Sequence, residues 1–409
     1  MQISLSEDQE KARDAIVAHV RGQSGPLLTV AGYAGTGKTT VMSESVRSLG
    51  EARAPLAFCA YSGKAAAVMR SKLELSGSLR PGDYCGTIHG LIYNLTGAWL
   101  KQSKKGKEYM AQIEKPAAGV RTPIKERLEM DMQFEATGLK AGYQAIMVDE
   151  GSMVGEEVFN DISAMGLPVV VFGDHGQLPP VKSSFNLMQH PMIRLEKIHR
   201  QAEKSPIIKM SMLAREEGRI PIGDYSDRVR KIRMSGDLSW SKALTKDWVM
   251  LCGRNATRIF WNNRLRNQYG FQSHDVETGE RVICLKNNKE LGIYNGMMGI
   301  VRSVMPSDDH WYKMVAEMDG GVTFAGDCLT HQFGSQSTLY EYPPAALSGN
   351  LVMDLFDWAW CITAHKSQGS EFESVCVLEE RMGGSDDDWR KWLYTVVTRA
   401  KENLIVVGA

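Results

Sequence analysis

Gly32-Tyr33-Ala34-Gly35-Thr36-Gly37-Lys38-Thr39 has the spacing of a glycine, four residues, Gly-Lys and a hydroxyl side chain. Glycines at these positions let successive backbone N–H groups turn inward and form a concave anion nest. A helix starting at the end of the loop adds positive potential where a phosphate would sit. Lys38 has the reach to meet β- and γ-phosphates, and the Thr39 hydroxyl suits a magnesium ion. The segment from Gly32 through Ala34, Gly35, Thr36 and Gly37 to Thr40 is therefore read as a nucleotide-phosphate site.

A second pair of reactive side chains, Asp149-Glu150, directly follows the apolar run Ala145-Ile146-Met147-Val148. Adjacent carboxylates at the end of a buried strand supply the other half of an ATPase site. Asp149 would hold magnesium through water, and Glu150 would orient and activate the attacking water. Further on, Gly173-Asp174-His175-Gly176-Gln177-Leu178-Pro179-Pro180-Val181 follows another apolar run. Two glycines and two prolines make it a stiff loop at a strand's C-terminal end, where open α/β sheets bind ligands. Gln177 is placed there to report on the γ-phosphate.

The elements needed to position these residues are readable. Apolar runs at 26–30, 55–60, 145–148, 167–172 and 192–195 predict five buried strands. Helices are expected from Ser6 to Val20, from Thr40 to Ser48 and from near Ser62. That alternation predicts one doubly wound α/β domain. Trp248–Cys252, Val375–Leu378 and Leu404–Val407, with a helix over 390–399, predict a second α/β series without a phosphate loop of its own. Between them, residues 296–349 read as all-β, with a turn at Asp319-Gly320-Gly321. Residues 97–118 read as a hairpin whose turn, Ser103-Lys104-Lys105-Gly106-Lys107, is basic. On charge alone that segment is a solvated insertion.

Composition narrows the class. A chain of 409 residues exceeds one ordinary core. Lysine plus arginine equals aspartate plus glutamate at 48 each, so any nucleic-acid contact must come from local patches. The seven cysteines show no metal-ligand spacing, and an odd number argues against a disulfide framework. No run of about 20 apolar residues is present to span a bilayer. The first residues lack the order of a signal peptide, so the cytosol is the expected compartment, the host's if the chain is phage-encoded.

Taken in order, these segments resemble a superfamily 1 DNA helicase, and within it the RecD-like and Dda-like branch (superfamily 1B). Leu5–Gln9 looks like the adenine-reading motif, Ser62-Gly63-Lys64-Ala65-Ala66 like motif Ia and Thr87-Ile88-His89 like motif Ib. Asp149–Met153 and Gly173–Pro180 look like motifs II and III, and Arg200 stands where motif IV has its arginine. Thr363-Ala364-His365-Lys366-Ser367-Gln368-Gly369 and Tyr394-Thr395-Val396-Val397-Thr398-Arg399 look like motifs V and VI. Motif Ia departs from the family where Tyr-Ser-Gly replaces the common Pro-Thr.

The resemblance implies an α/β fold of tandem RecA-like P-loop domains, parallel sheets flanked by helices. Domain 1A would take residues 1–95 and 119–200, and 2A residues 201–295 and 351–409. The hairpin at 96–118 would be a wedge (1B), and 296–350 an SH3-like β-barrel (2B). It further implies ATP and Mg²⁺ as cofactors, Gln9 on the adenine, Glu371 on the ribose, Gly369 beside the nucleotide, and Arg200 and Arg399 on the γ-phosphate. Ser62, Lys64, Thr87, His89, Thr363, His365 and Lys366 would line a single-stranded DNA track, with Trp99 or Tyr109 stacking at the fork. The implied partners are single-stranded DNA and single-strand/duplex junctions, with a single-strand binding protein or replication and repair proteins beside a monomeric motor. The implied activity is 5′→3′ translocation with duplex unwinding. A kinase on the same phosphate loop would need an acceptor site and lid in place of the second α/β domain. An ATP-gated DNA clamp without strand separation, or a motor subunit of a larger complex, shares every motif.

Overall fold

The computed structural model describes residues 5–92, 142–179, 185–197, 205–288, 291–306, 311–339, 354–382 and 384–409. The first domain contains α1 (Glu7–Val20), β1 (Leu27–Gly32), α2 (Lys38–Ser48), β2 (Ala57–Ala60), α3 (Gly63–Leu75) and β3 (Tyr84–Thr87). It continues with α4 (Ile88–Ile92), β4 (Ile146–Asp149), α5 (Glu156–Ala164), β5 (Val169–Gly173) and β6 (Ile193–Leu195). Its strands form a parallel sheet in the order β3-β2-β4-β5-β1-β6. The central strands are mostly apolar because both faces are covered. Ala12, Ile16, Val41, Met42 and Leu73 from α1, α2 and α3 cover one face, and Ile88, Leu91 and Ile162 from α4 and α5 cover the other.

The five expected strands are present, and β3 adds a sixth at the sheet edge. Tyr-Cys-Gly-Thr is too short and too polar to announce a strand, and only its pairing with β2 makes it one. α1 starts where Ser6 and Gln9 form a reciprocal capping box.

The second domain opens with α6 (Pro206–Glu216), β7 (Gly223–Asp224), β8 (Val229–Arg233), β9 (Trp248–Cys252) and α7 (Asn255–Gln268). A five-stranded antiparallel sheet follows, built from β10 (Arg281–Cys284), β11 (Met298–Pro306), β12 (Trp311–Met318), β13 (Thr323–Leu329) and β14 (Phe356–Trp358). β15 (Cys361–Thr363), α8 (Ala364–Ser367), β16 (Phe372–Leu378), α9 (Asp386–Val397) and β17 (Ala400–Gly408) complete the second domain. Its sheet runs β15-β9-β16-β17-β8-β7, parallel except for the β7 edge. α6 and α9 pack on one face through Met210, Ala214, Leu393 and Val396, and α7 packs on the other through Trp261 and Leu265.

Two features here depart from the sequence expectation. The antiparallel sheet extends beyond 296–350, because Arg281–Cys284, within the range expected for domain 2A, pairs with β11 and β14 instead. The segment before Asp247, whose sequence is mixed and uninformative, contains β8 (Val-Arg-Lys-Ile-Arg). Lys231 is nonetheless buried, because both oxygens of Glu379 accept from its ammonium at 2.7 and 2.8 Å. A buried ammonium is tolerable only with such a partner. Residues 96–118, the expected hairpin, lie outside the described residues, as do Trp99 and Tyr109.

Candidate functional site

The phosphate loop leaves the end of β1 and enters α2. Gly35 and Gly37 have φ of 82° and 80°, the left-handed region that lets adjacent N–H groups converge. A Cβ on Gly32 would lie 2.4 Å from Thr36 Oγ1, so no larger residue fits this turn. The first turn of α2 carries no acidic residue to compete for an anion. The Lys38 ammonium donates to the carbonyls of Gly32 at 2.6 Å and Tyr33 at 3.2 Å, which holds it over the loop. Gln9 is buried behind the loop. Its carboxamide accepts from Ser6 N–H at 3.0 Å and donates to Thr36 C=O at 2.9 Å, so the first helix is tied to the loop's backbone.

Asp149 ends β4, and its Oδ1 accepts from Glu150 N–H at 2.9 Å. Glu150 has φ 54° and ψ 43°, a left-handed conformation that costs a non-glycine residue energy and clusters at functional sites. Burial pushes the Glu150 carboxyl above its ordinary range and Asp149 pushes the same way, while Arg399 and Lys38 oppose both. A carboxylate so placed is suited to accepting a proton from water.

The two domains meet over this loop. The cleft at the domain junction has a volume of about 1140 Å³. Lys38, Thr39, Thr40, Asp149, Glu150 and Gln177 line it from the first domain, and Gly369, Glu371 and Arg399 from the second. Arg399 is held at the end of α9 by Thr395 C=O, Ser370 C=O and the Thr398 hydroxyl, at 3.0 to 3.2 Å. Gln177 is buried, and its Oε1 has no partner among the described residues. Arg200 lies outside the described residues.

The residues expected to form a nucleic-acid track stand on several elements of both domains. Lys64 lines the same cleft and pairs with Asp319 of the antiparallel sheet's turn at 3.1 Å. Ser62 caps α3, accepting from Ala65 N–H at 3.1 Å, and Thr87 Oγ1 accepts from Gly90 N–H at 3.0 Å. The His89 ring stands edge-on to Tyr61, 5.7 Å between centroids. Thr363 precedes α8, burial lowers the pKa of both His365 and Lys366, and the Lys366 ammonium donates to Asn295 Oδ1 at 2.9 Å. A Cβ on Gly369 would lie 3.7 Å from Ser62 Oγ, so motif segments from the two domains touch there.

Sequence reasoning missed the junction itself. Tyr394 donates from its hydroxyl to Asp174 Oδ2 at 2.6 Å and accepts from Ala34 N–H at 2.8 Å. Leu178 N–H donates to Thr395 Oγ1 at 3.0 Å, and the Gln368 amide donates to Leu178 C=O at 3.2 Å. Tyr394 and Thr395 stand in the same run as Arg399, which was the only residue of that run given a role. A polar ring at an otherwise apolar helix position was the available signal.

A phosphate loop on one parallel α/β domain, completed by an arginine from a second, defines a P-loop nucleotide-binding protein of the tandem RecA-like class. Comparison with known proteins carries this further. The chain belongs to the AAA domain family, whose model matches residues 4–236, more than half its length, and residues 358–407 match the UvrD-like helicase C-terminal domain. The relatives below are similar to it along almost its whole length.

It is 24% identical over 435 residues to the ATP-dependent RecD2 DNA helicase of Deinococcus radiodurans, covering 99% of this chain and 49% of that protein. It is 23% identical over 463 residues to the RecBCD enzyme subunit RecD of Mycobacterium tuberculosis, covering 98% of this chain and 69% of that one. The chain thus spans about half the length of the Deinococcus relative. The fold is similar to Pif1 helicase from Bacteroides in complex with ADP-AlF3 and ssDNA, with a TM-score of 0.55 at 19% identity, covering 99% and 92% of the two chains. Pif1 helicase from Candida albicans gives the same TM-score and identity, with 99% and 94% covered. Among the described residues, no helix is long and apolar enough to cross a membrane.

Proposed function

We propose that this chain is an ATP-dependent DNA helicase that moves 5′→3′ along single-stranded DNA and separates duplex ahead of it. The observation that carries the reading is the junction cleft, where Lys38, Thr39, Asp149 and Glu150 face Arg399 from the other domain. The relatives, a RecD2 DNA helicase, a Pif1 bound to ssDNA and Pif1 helicases described in DNA unwinding at forked dsDNA, support the same reading.

The residues fit a nucleoside triphosphate with magnesium. Left-handed glycines and the α2 N-terminus receive phosphates, and Thr39 and Asp149 offer the hard oxygen donors magnesium takes. The ion would neutralise charge on the β- and γ-phosphates. Lys38 binds the phosphates, Glu150 orients water and takes its proton, and Gln177 and Arg399 meet the γ-phosphate. Gln9 would read the adenine beside the loop it already braces, and Glu371 would meet the ribose. An arginine supplied across the cleft stabilises the transition state only when the domains are closed, so hydrolysis and closure are linked.

DNA would lie over both domains on Ser62, Lys64, Thr87, His89, Thr363, His365 and Lys366, gripped through phosphates without base reading. Alternate closing and opening then moves the strand. The proposed domain division, with the wedge at 96–118 and the barrel around 296–350, stands as part of this reading, as do a cytosolic monomer and single-strand/duplex junctions as substrates. The deciding experiment is unwinding of duplexes carrying a 5′ or a 3′ tail, with ATP and magnesium. Separation of the 5′-tailed duplex is the expected result. Preference for the 3′ tail reverses the polarity, and DNA-stimulated ATP hydrolysis without strand separation makes the chain a translocase or clamp.

A further inference from the structure

Tyr394 lies on α9 five residues before Arg399 and is 1% exposed. Both partners of its hydroxyl belong to the first domain. Ala34 N–H, in the phosphate loop, donates to it at 2.8 Å, and it donates to Asp174 Oδ2 at 2.6 Å. Asp174 is itself buried. Its Oδ1 accepts from Gly176 N–H at 2.9 Å, and the Gln177 side-chain amide lies 3.4 Å from Oδ2. The other end of that amide, Gln177 Oε1, is buried and without a partner among the described residues. One phenol thus touches the loop that receives phosphate and, through one carboxylate, the glutamine of the adjoining loop.

The chemistry of the phenol makes the arrangement directional. Burial and the Asp174 charge hold Tyr394 well above its ordinary pKa, so it keeps its one proton. Asp174 accepts a charge-assisted hydrogen bond from it, and a hydroxyl lone pair is left for Ala34 N–H. Packing alone does not need this oxygen. The ring meets Tyr33 edge-on at 5.9 Å, and a phenylalanine would make the same contact. Phenylalanine would leave the Ala34 N–H and the buried Asp174 carboxylate each short of a partner.

We propose that Tyr394 is a positioning residue for phosphoryl transfer. Its hydroxyl sets the phosphate loop at Ala34 and, through Asp174, the orientation of Gln177, so both are aligned only when the second domain is docked. The proposal rests on the ATP-hydrolysis reading above.

The test is Tyr394→Phe, alone and combined with Asp174→Asn, in the full chain. ATP turnover is measured with and without oligo(dT), and binding stoichiometry with a fluorescent ATP analogue. Tyr394→Phe is expected to lower kcat about 10- to 100-fold, the worth of one hydrogen bond to a charged group. The KM for ATP should change less than about threefold and the binding stoichiometry should stay at the wild-type value, because the lost alignment acts on transfer rather than on ground-state binding. Asp174→Asn should show the same split, and the double variant should be no slower than the slower single one, since both act along one path. A kcat within about twofold of wild type, a stoichiometry falling in step with kcat, or additive losses in the double variant would each overturn the proposal. If Tyr394→Phe does not fold, the kcat and KM of Asp174→Asn decide alone. Wild-type protein that shows no stimulation by oligo(dT) counts against the motor reading instead, and the effect of Tyr394 on basal turnover remains measurable.

Discussion

The two parallel domains each send a strand through a short turn into a helix, and they treat the helix N-terminus in opposite ways. In the first, β1 passes through the glycine loop into α2, whose first turn has no acidic residue. In the second, β9 passes through Gly253 and Arg254 into α7. There the Glu380 carboxylate accepts from Gly253 N–H at 2.7 Å, Arg254 N–H at 3.1 Å and the Thr257 hydroxyl at 2.5 Å. Both turns present the donors and dipole that attract an anion. One keeps them for a phosphate, and the other satisfies them with a carboxylate from its own chain. Related architecture therefore does not imply a second nucleotide site. The second domain contributes through the other end of a helix, where α9 delivers Tyr394, Thr395 and Arg399 to the first domain's loop.

The comparison can be broken at either turn. The largest effect is expected for Lys38→Ala, which should abolish ATP hydrolysis while some DNA binding persists; full turnover in that variant would remove the loop from the chemistry. Arg399→Ala should still bind ATP but hydrolyse it more slowly by a factor on the order of 10³, as loss of an arginine finger does. Wild-type turnover there would show that the second domain contributes nothing to the transition state.

Glu380→Ala tests the filled turn. It should destabilise the protein by about 1–2 kcal/mol, the worth of a helix cap with its dipole contact. Added inorganic phosphate should recover part of that loss in a thermal melt, and recovery equal to that of wild type would mean the vacated turn does not bind anions. The smallest effect is expected from Asp319→Asn, which frees Lys64. Affinity for oligo(dT) at low salt should rise by roughly two- to fivefold, since a pair with one exposed partner is worth little. Unchanged affinity, measured by fluorescence anisotropy, would take Lys64 off the proposed track.

What was legible from sequence depended on how local the signal was. Gly32–Thr39 and Asp149-Glu150 are contiguous, and their chemistry follows from residues a few positions apart. The buried strands around them are short apolar runs. β8 was hidden because its burial depends on Glu379, and the fate of Arg281–Cys284 depended on pairing with Phe356–Trp358 rather than on its own residues. Tyr394 and Asp174 are 220 positions apart, and neither neighbourhood announces the other. The left-handed Glu150 backbone likewise follows from the packing around it, since nothing in its residue type favours that conformation.

The corner between the two sheets of the second half of the chain has a mechanical meaning. β14 belongs to the antiparallel sheet and β15 to the parallel one, and Ala359 and Trp360 alone separate them. Both are pinned: Ala359 N–H donates to Arg281 C=O at 3.0 Å, and Trp360 C=O accepts from Met250 N–H at 2.9 Å. Thr363 to Lys366 begin immediately beyond, and Lys366 is joined back to the loop at Asn295. The antiparallel sheet is thus no pendant module. It is bolted to the segment proposed to grip DNA, so a torque on its outer edge is passed, as by a crank, to Thr363 and its neighbours.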